Sequence, residues 1–134
     1  MRAANGVALD AREPAALVVQ VNEPDGVKLF RVPLDGGSEL SILVAGALRL
    51  APLPLSATAV GPDGRIAVTV TAPDLLWRGV GLLDPATATL ERVPLGYDGD
   101  VAYPTWSRDG SLLAVGVSPR SSLWRFQPQA RQGS

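Results

Sequence analysis

Cysteine and histidine are both missing from the 134 residues, and the two absences remove most of the familiar routes to catalysis. There is no thiolate nucleophile, no Ser-His-Asp or Cys-His relay, no imidazole base and no zinc site built from soft ligands. Catalysis would have to rest on carboxylates alone. With no disulfide available, stability must come from packing and hydrogen bonds, and the redox state of the compartment leaves no mark on the chain; localisation stays open. Charge of one sign is lacking too, since 12 Lys+Arg nearly cancel 13 Asp+Glu. Such a chain has no field to draw nucleic acid or an acidic membrane surface, and neither is expected as a partner. Long apolar runs are absent as well. The most apolar stretch, residues 40–55, is broken by Arg49, Pro52 and Pro54 and is shorter than the roughly 20 residues of a spanning helix, so no membrane segment is expected. Residues 1–17 carry Arg2, Asp10, Arg12 and Glu13 without an intervening apolar core, so no secretory leader is expected there.

What is present points to one modest domain rich in turns. At 14.0 kDa the chain can bury roughly 68% of the surface its unfolded form exposes. Fourteen glycines and 12 prolines are scattered through it and leave no stretch for a long regular helix. Apolar and β-branched residues instead gather in short runs, at residues 15–21, 27–34, 66–71, 79–83, 90–95, 112–117 and 123–126, which read as strands. Between them stand Pro24-Asp25-Gly26, Asp35-Gly36-Gly37, Pro62-Asp63-Gly64, Asp84-Pro85, Asp98-Gly99-Asp100 and Asp109-Gly110. In these clusters glycine supplies positive φ and aspartate binds its own downstream backbone. An all-β chain is expected.

The strands repeat along the chain. Trp106-Ser107-Arg108-Asp109-Gly110-Ser111-Leu112-Leu113-Ala114-Val115 is answered 46 residues earlier by Val60-Gly61-Pro62-Asp63-Gly64-Arg65-Ile66-Ala67-Val68. A worn third copy begins at Leu9, about 51 residues before Val60, with the strand rhythm kept and the Asp-Gly turn lost. After each unit comes a second hairpin: residues 27–34 and the segment from Glu39 in the first copy, residues 79–83 and 90–93 in the second, and Leu123-Trp124-Arg125-Phe126 in the third. Residues 127–134 have no convincing successor strand. A period in this range is that of propeller blades, with approximate blades at 7–46, 55–97 and 101–128, two fuller and one incomplete.

Trp106-Ser107-Arg108-Asp109-Gly110 followed by Leu113-Ala114-Val115 resembles the W-S-P-D-G-x-x-L-A signature of TolB-type, WD40-like β-propeller repeats. Residues 60–67 keep the P-D-G and I-A parts of it, and Leu29-Phe30-Arg31-Val32-Pro33-Leu34-Asp35-Gly36-Gly37 is similar to the strand and turn that follow within a blade. Arg108 stands where the family has proline, and Val60 where it has tryptophan. There is no G-H…W-D pairing. The resemblance implies four-stranded antiparallel blades, with the strand after each Asp-Gly turn packed between neighbours. Trp106 is accordingly read as core, and Asp63 and Asp109 as turn formers.

Little chemistry is left over. Asp98 and Asp100 are the one close acidic pair flanking a glycine, but they fall where one blade hands over to the next, and a polar connection accounts for them better than acid–base work or calcium binding. Ser118 in Gly116-Val117-Ser118-Pro119-Arg120 lacks the second glycine of a nucleophile elbow and has no histidine to serve it; it reads as a turn residue. No phosphate loop or dinucleotide fingerprint is present. The expectation is no catalytic residue, no cofactor and no metal. Eleven arginines against the single Lys28 are too spread out to form a patch and reflect coding bias. Trp77 and Arg78 are the one candidate contact pair. Either the indole stands exposed beside the guanidinium as a protein-contact hot spot, or Trp77 begins the strand and packs inward.

A propeller ring closes with 4 to 8 blades, so three or fewer imply either a piece of a longer propeller protein or a homo-oligomer meeting through its open blade edges. The function the resemblance implies is a non-catalytic interaction module that binds another protein, and the chain is not expected to be an enzyme. The alternatives are the propeller lobe of a larger serine-peptidase-like hydrolase, and the sensor domain of a bacterial receptor or regulator.

Overall fold

The structure, a computed structural model, describes residues 4–118 and 123–125. Its architecture is all-β, and no helix occurs among the described residues. The first sheet runs β1 (Ala4–Asp10), β2 (Ala16–Glu23), β3 (Gly26–Pro33) and β4 (Leu40–Ile42) side by side in chain order. The second does the same with β5 (Arg49–Leu50), β6 (Ile66–Thr71), β7 (Gly79–Asp84) and β8 (Thr89–Arg92). The third pairs β9 (Asp100–Trp106) with β10 (Leu112–Val117). Every neighbouring pair is antiparallel, as short connections require.

The three sheets are layered, and β6 lies at the centre with almost its whole length buried on both faces. Alternation along the strand sends Ile66, Val68 and Val70 to one side, where they form the core with Ala8, Val18 and Leu29 of the first sheet and Leu83 and Leu90 of the second. The other side carries Ala67 and Thr69, against which β9 packs. There the Tyr103 N–H donates to Thr69 Oγ1 at 3.1 Å. This two-sided burial is why the run Ile66-Ala67-Val68-Thr69-Val70 lacks charge altogether. Each of its larger side chains contributes roughly 1.5–3 kcal/mol relative to exposure.

The first strand of the second sheet is interrupted. The Ala51 N–H donates to the Thr69 carbonyl, and pairing resumes only where the Ala67 N–H donates to Ala59 O and Val60 bridges Ile66. Between them Pro52 and Pro54 offer no N–H to a ladder, and the chain loops out. The excursion touches both flanking layers. Gln20 Nε2 of β2 donates to Leu53 O at 2.8 Å, the buried Leu55 packs so closely on Gly6 that a Cβ at position 6 would lie 2.8 Å from Leu55 Cβ, and the Trp106 N–H of β9 donates to Thr58 O at 3.0 Å.

The turns entering β6 and β10 share one geometry. The Gly61 N–H donates to Arg65 O and the Gly64 N–H to Gly61 O; correspondingly, the Ser107 N–H donates to Ser111 O and the Gly110 N–H to Ser107 O. Asp63 Oδ1 accepts from the Arg65 N–H and Asp109 Oδ1 from the Ser111 N–H. Gly64 and Gly110 both take left-handed conformations, φ +84° and +86°, which glycine adopts without steric cost. The residues flanking the three first hairpins pair alike: Leu9 with Leu17, Val60 with Ile66 and Trp106 with Leu112. In the first sheet the connection is longer, and Asp10 Oδ1 takes the turn role by accepting from the Arg12 N–H at 3.1 Å.

One strand expectation fails within the described residues. Leu123-Trp124-Arg125 is not a strand, and the side chains of Leu123 and Trp124 stand fully in solvent. A short apolar run becomes a strand only when an edge takes up its backbone groups, and these three residues have no ladder partner. Phe126 and residues 127–134 lie outside the described residues, as do Met1, Arg2 and the Pro119-Arg120 end of the Ser118 turn. The segment expected from Glu39 to complete the first copy's second hairpin is β4; conversely, β1, β5 and β9 were not among the expected runs. Tyr103 and Pro104 sit in β9 at a register shift opposite Leu113 to Val115, and such a bulge is where a strand tolerates proline.

Candidate functional site

Trp77 and Arg78 lie at the end of the connection from β6 to β7. The chain turns there through the Leu75 N–H to Ala72 O bond, leaves Leu76 exposed, half-buries Trp77 and exposes Arg78. Their position is set by the segment leading into β9. The Trp77 indole N–H donates to Asp98 Oδ1 at 3.3 Å, the Arg78 N–H donates to Asp100 Oδ1 at 2.8 Å, and the Val101 N–H donates back to Arg78 O at 3.2 Å. The acidic pair flanking Gly99 is therefore occupied in holding residues 77 and 78. Neither reading of Trp77 alone describes its place: the indole is anchored on one edge and remains open on another.

Beside it is a cleft of about 410 Å³ whose walls include Trp77, Arg78, Arg92, Pro94, Leu95 and Tyr97. It opens between the second and third sheets. Arg92, on β8, extends beside Gly79, with its Nε 3.6 Å from where a Cβ at position 79 would lie, an ordinary van der Waals distance. Tyr97 rests on β10 at Gly116, where an added Cβ would come within 2.9 Å of its Cζ. Among the described residues neither Arg78 nor Arg92 forms an ion pair. The cleft thus offers two guanidinium groups, two amphipathic rings and a leucine. Such a set suits carboxylates and apolar side chains of a binding partner. Among the described residues no group of three Asp or Glu side chains is placed to hold a metal ion.

A second polar cluster joins the first and second sheets. Asp10, 3% exposed, accepts from Arg12 Nε and Nη2, both at 3.1 Å, and from Arg31 Nη2 at 3.4 Å. Arg12 Nη1 also donates to Asp63 O at 2.9 Å, in the turn entering β6, and the guanidinium fills the space over Gly64. Burial works to raise the Asp10 pKa, and the hydrogen bonds and charge of Arg12, with the charge of Arg31, outweigh it and hold the carboxyl below its ordinary value. This cluster fastens layers together. On the other side of the same turn Trp106 Nε1 donates to Arg65 O at 3.3 Å, and the Arg65 guanidinium lies 5.6 Å from the centroid of the indole. Trp106 is half-buried in this packing.

Sequence reasoning picked out Trp77 and Arg78 but not Arg92, Leu95 or Tyr97, which complete the cleft. The available signal was Leu95-Gly96-Tyr97, an aromatic in a glycine-rich connection that a mere linker does not need. Comparison with protein-family models, with curated proteins and with solved structures gives no match.

Proposed function

We propose that this chain is a non-catalytic interaction module built from β-propeller blades, which binds a protein partner through the cleft at Trp77 and Arg78. The observation that carries the reading is the Trp77–Asp98 hydrogen bond, which anchors the indole at the rim beside Arg78 and Arg92. An aromatic already held in place loses little freedom on binding, which is the economy of a hot spot. The blade reading draws support from consecutive antiparallel sheets layered face to face and from the matching turns at residues 61–65 and 107–111. The partner segment suited to the cleft carries an acidic side chain for the two guanidinium groups and an apolar one for Leu95 and the rings.

The test is affinity capture from an extract of the source cells, followed by calorimetric titration of the purified captured protein. Trp77→Ala is expected to weaken that complex roughly tenfold or more, the loss of about 1.4 kcal/mol or more. Arg78→Ala should weaken it less and flatten its salt dependence. Unchanged affinity in Trp77→Ala overturns the assignment.

A further inference from the structure

The second strand of each sheet has a neighbour on both sides in the first two sheets and on one side only in the third. β2 lies between β1 and β3, and β6 between β5 and β7, whereas β10 has β9 on one side and no strand on the other among the described residues. Because Leu9–Leu17 and Trp106–Leu112 hold the same place in their hairpins, Val18, Val19 and Gln20 of β2 correspond to Leu113, Ala114 and Val115 of β10. Residues 113–117 are all exposed, Leu113 and Val115 to 56% and 55%. An edge of backbone groups without ladder partners, flanked by exposed apolar side chains, is a template for one more strand.

The chain carries a segment that fits this edge. On β3, Leu29, Phe30 and Arg31 pair with Gln20, Val19 and Val18. Leu123-Trp124-Arg125 repeats their order of leucine, aromatic and arginine, and the same register sets Leu123 opposite Val115, Trp124 opposite Ala114 and Arg125 opposite Leu113. Charge matches as well. Arg31 Nη2 lies 3.4 Å from Asp10 Oδ2 at the first hairpin turn; the corresponding turn of the third sheet carries Asp109, and among the described residues neither Asp109 nor Arg125 forms an ion pair. In its own chain the segment stays off the edge, with Leu123 and Trp124 in solvent. The connecting sequence opposes a tight return. Gln20 to Leu29 is nine steps, with Gly26 left-handed at φ +138° in the turn, whereas Val115 to Leu123 is eight, and Ser118-Pro119-Arg120-Ser121-Ser122 holds no glycine, asparagine or aspartate to take such a conformation.

We infer that two copies of this chain exchange these segments, the Leu123-Trp124-Arg125 run of each adding to the β10 edge of the other as its third strand. Reciprocal exchange uses both edges and closes with two-fold symmetry. Main-chain hydrogen bonds supply affinity, and the alternating side chains Leu123 and Trp124 cover the two faces beside β10. Arg125 meets the partner's Asp109 as Arg31 meets Asp10 within the chain. This inference rests on the open edge of β10 and not on the cleft at Trp77.

The experiment is sedimentation velocity with light scattering on the whole chain and on the double variant Trp124→Pro with Arg125→Pro, its β structure checked by circular dichroism. Neighbouring N–H groups of a strand point to opposite sides, so one of the two prolines removes a ladder donor, and both residues are exposed, so the rest of the fold does not depend on them. The wild type is expected to dimerise with rising concentration. The double variant is expected to be a monomer whose open edge binds a fluorescent peptide of residues 121–127 roughly tenfold or more tighter than the same peptide carrying the two prolines. Adding Asp109→Asn to that monomer should weaken the peptide a few-fold and lessen its salt dependence. In the wild type, with no substitution at all, hydrogen exchange at the Trp124 amide should slow as the dimer forms. A wild type that stays monomeric overturns the inference, and protection of Trp124 in that monomer would mean that the segment folds back on its own edge. So does a double variant that dimerises at wild-type strength, or one that binds the two peptides equally. Trp77→Ala should dimerise as the wild type does, so failure here is distinct from failure of the Trp77 assignment.

Discussion

The indole of Trp106 occupies the space that a side chain at Gly61 would need: a Cβ built there would lie 2.7 Å from Cε2 and 2.9 Å from Nε1. A strand of the third sheet thus closes over a turn of the second through the one residue that offers no obstruction. Gly61→Ala is expected to destabilise the fold by about 1–3 kcal/mol through overpacking, and Trp106→Ala by about 2 kcal/mol, less than a fully buried tryptophan. The two are in contact, so a double-mutant cycle by urea unfolding should show that Gly61→Ala costs much less in the Trp106→Ala background. Additive effects would mean that the ring does not rest there.

Asp10 ties stability to pH. The fold binds its ionised form more tightly, so its folded pKa lies below the unfolded value of 3.8. The contribution is fully present above the unfolded value and is lost as pH falls through the folded one. Asp10→Asn should cost about 2 kcal/mol at neutral pH, where two guanidinium groups lose their anion. The gap between wild type and variant should stay constant down to about pH 5 and narrow in more acid solution, as read from urea unfolding at a series of pH values.

Thr69 is buried and its hydroxyl takes the Tyr103 N–H. Thr69→Val keeps the shape and removes the acceptor, leaving a backbone donor without a partner at the interface of the second and third sheets. A loss of about 1–3 kcal/mol is expected, with faster hydrogen exchange at the Tyr103 amide as the local readout.

Asp109 is held down at about 2 by hydrogen bonds from the Ser107 hydroxyl and the Ser111 N–H. An NMR titration of Ser107→Ala should find the Asp109 carboxyl moved back toward its ordinary value. The turn itself should persist, because the Ser107 N–H to Ser111 O and Gly110 N–H to Ser107 O bonds are made by backbone alone.

What could be read from the chain beforehand depended on whether a strand carried its signal locally. Residues 66–71 and 112–117 were legible because a β-branched apolar run follows an Asp-Gly turn, and β6 and β10 have those bounds. β9 was hidden by Tyr103-Pro104, residues that suit a bulge and obscure alternation. β5 was hidden by Pro52 and Pro54, and β1 by Asn5-Gly6, where the register with β2 shifts. The opposite error came at Leu123-Trp124-Arg125, an apolar run that joins no edge in its own chain. Trp77 stood out as an aromatic beside an arginine, whereas the cleft it lines depends on Tyr97 crossing to Gly116 on another sheet, a tertiary relation that no local pattern encodes. The role of Asp10 was equally hidden, since it needs Arg31 from β3 and, through Arg12, the turn at Asp63.

The excursion at Pro52 to Thr58 has a consequence for how the chain can be divided. Its carbonyls at Leu53 and Thr58 receive donors from opposite layers, so cutting away either outer sheet strips a partner from the middle one. The layers are therefore not interchangeable modules to be trimmed singly, and the smallest piece that keeps the middle sheet intact includes strands from all three.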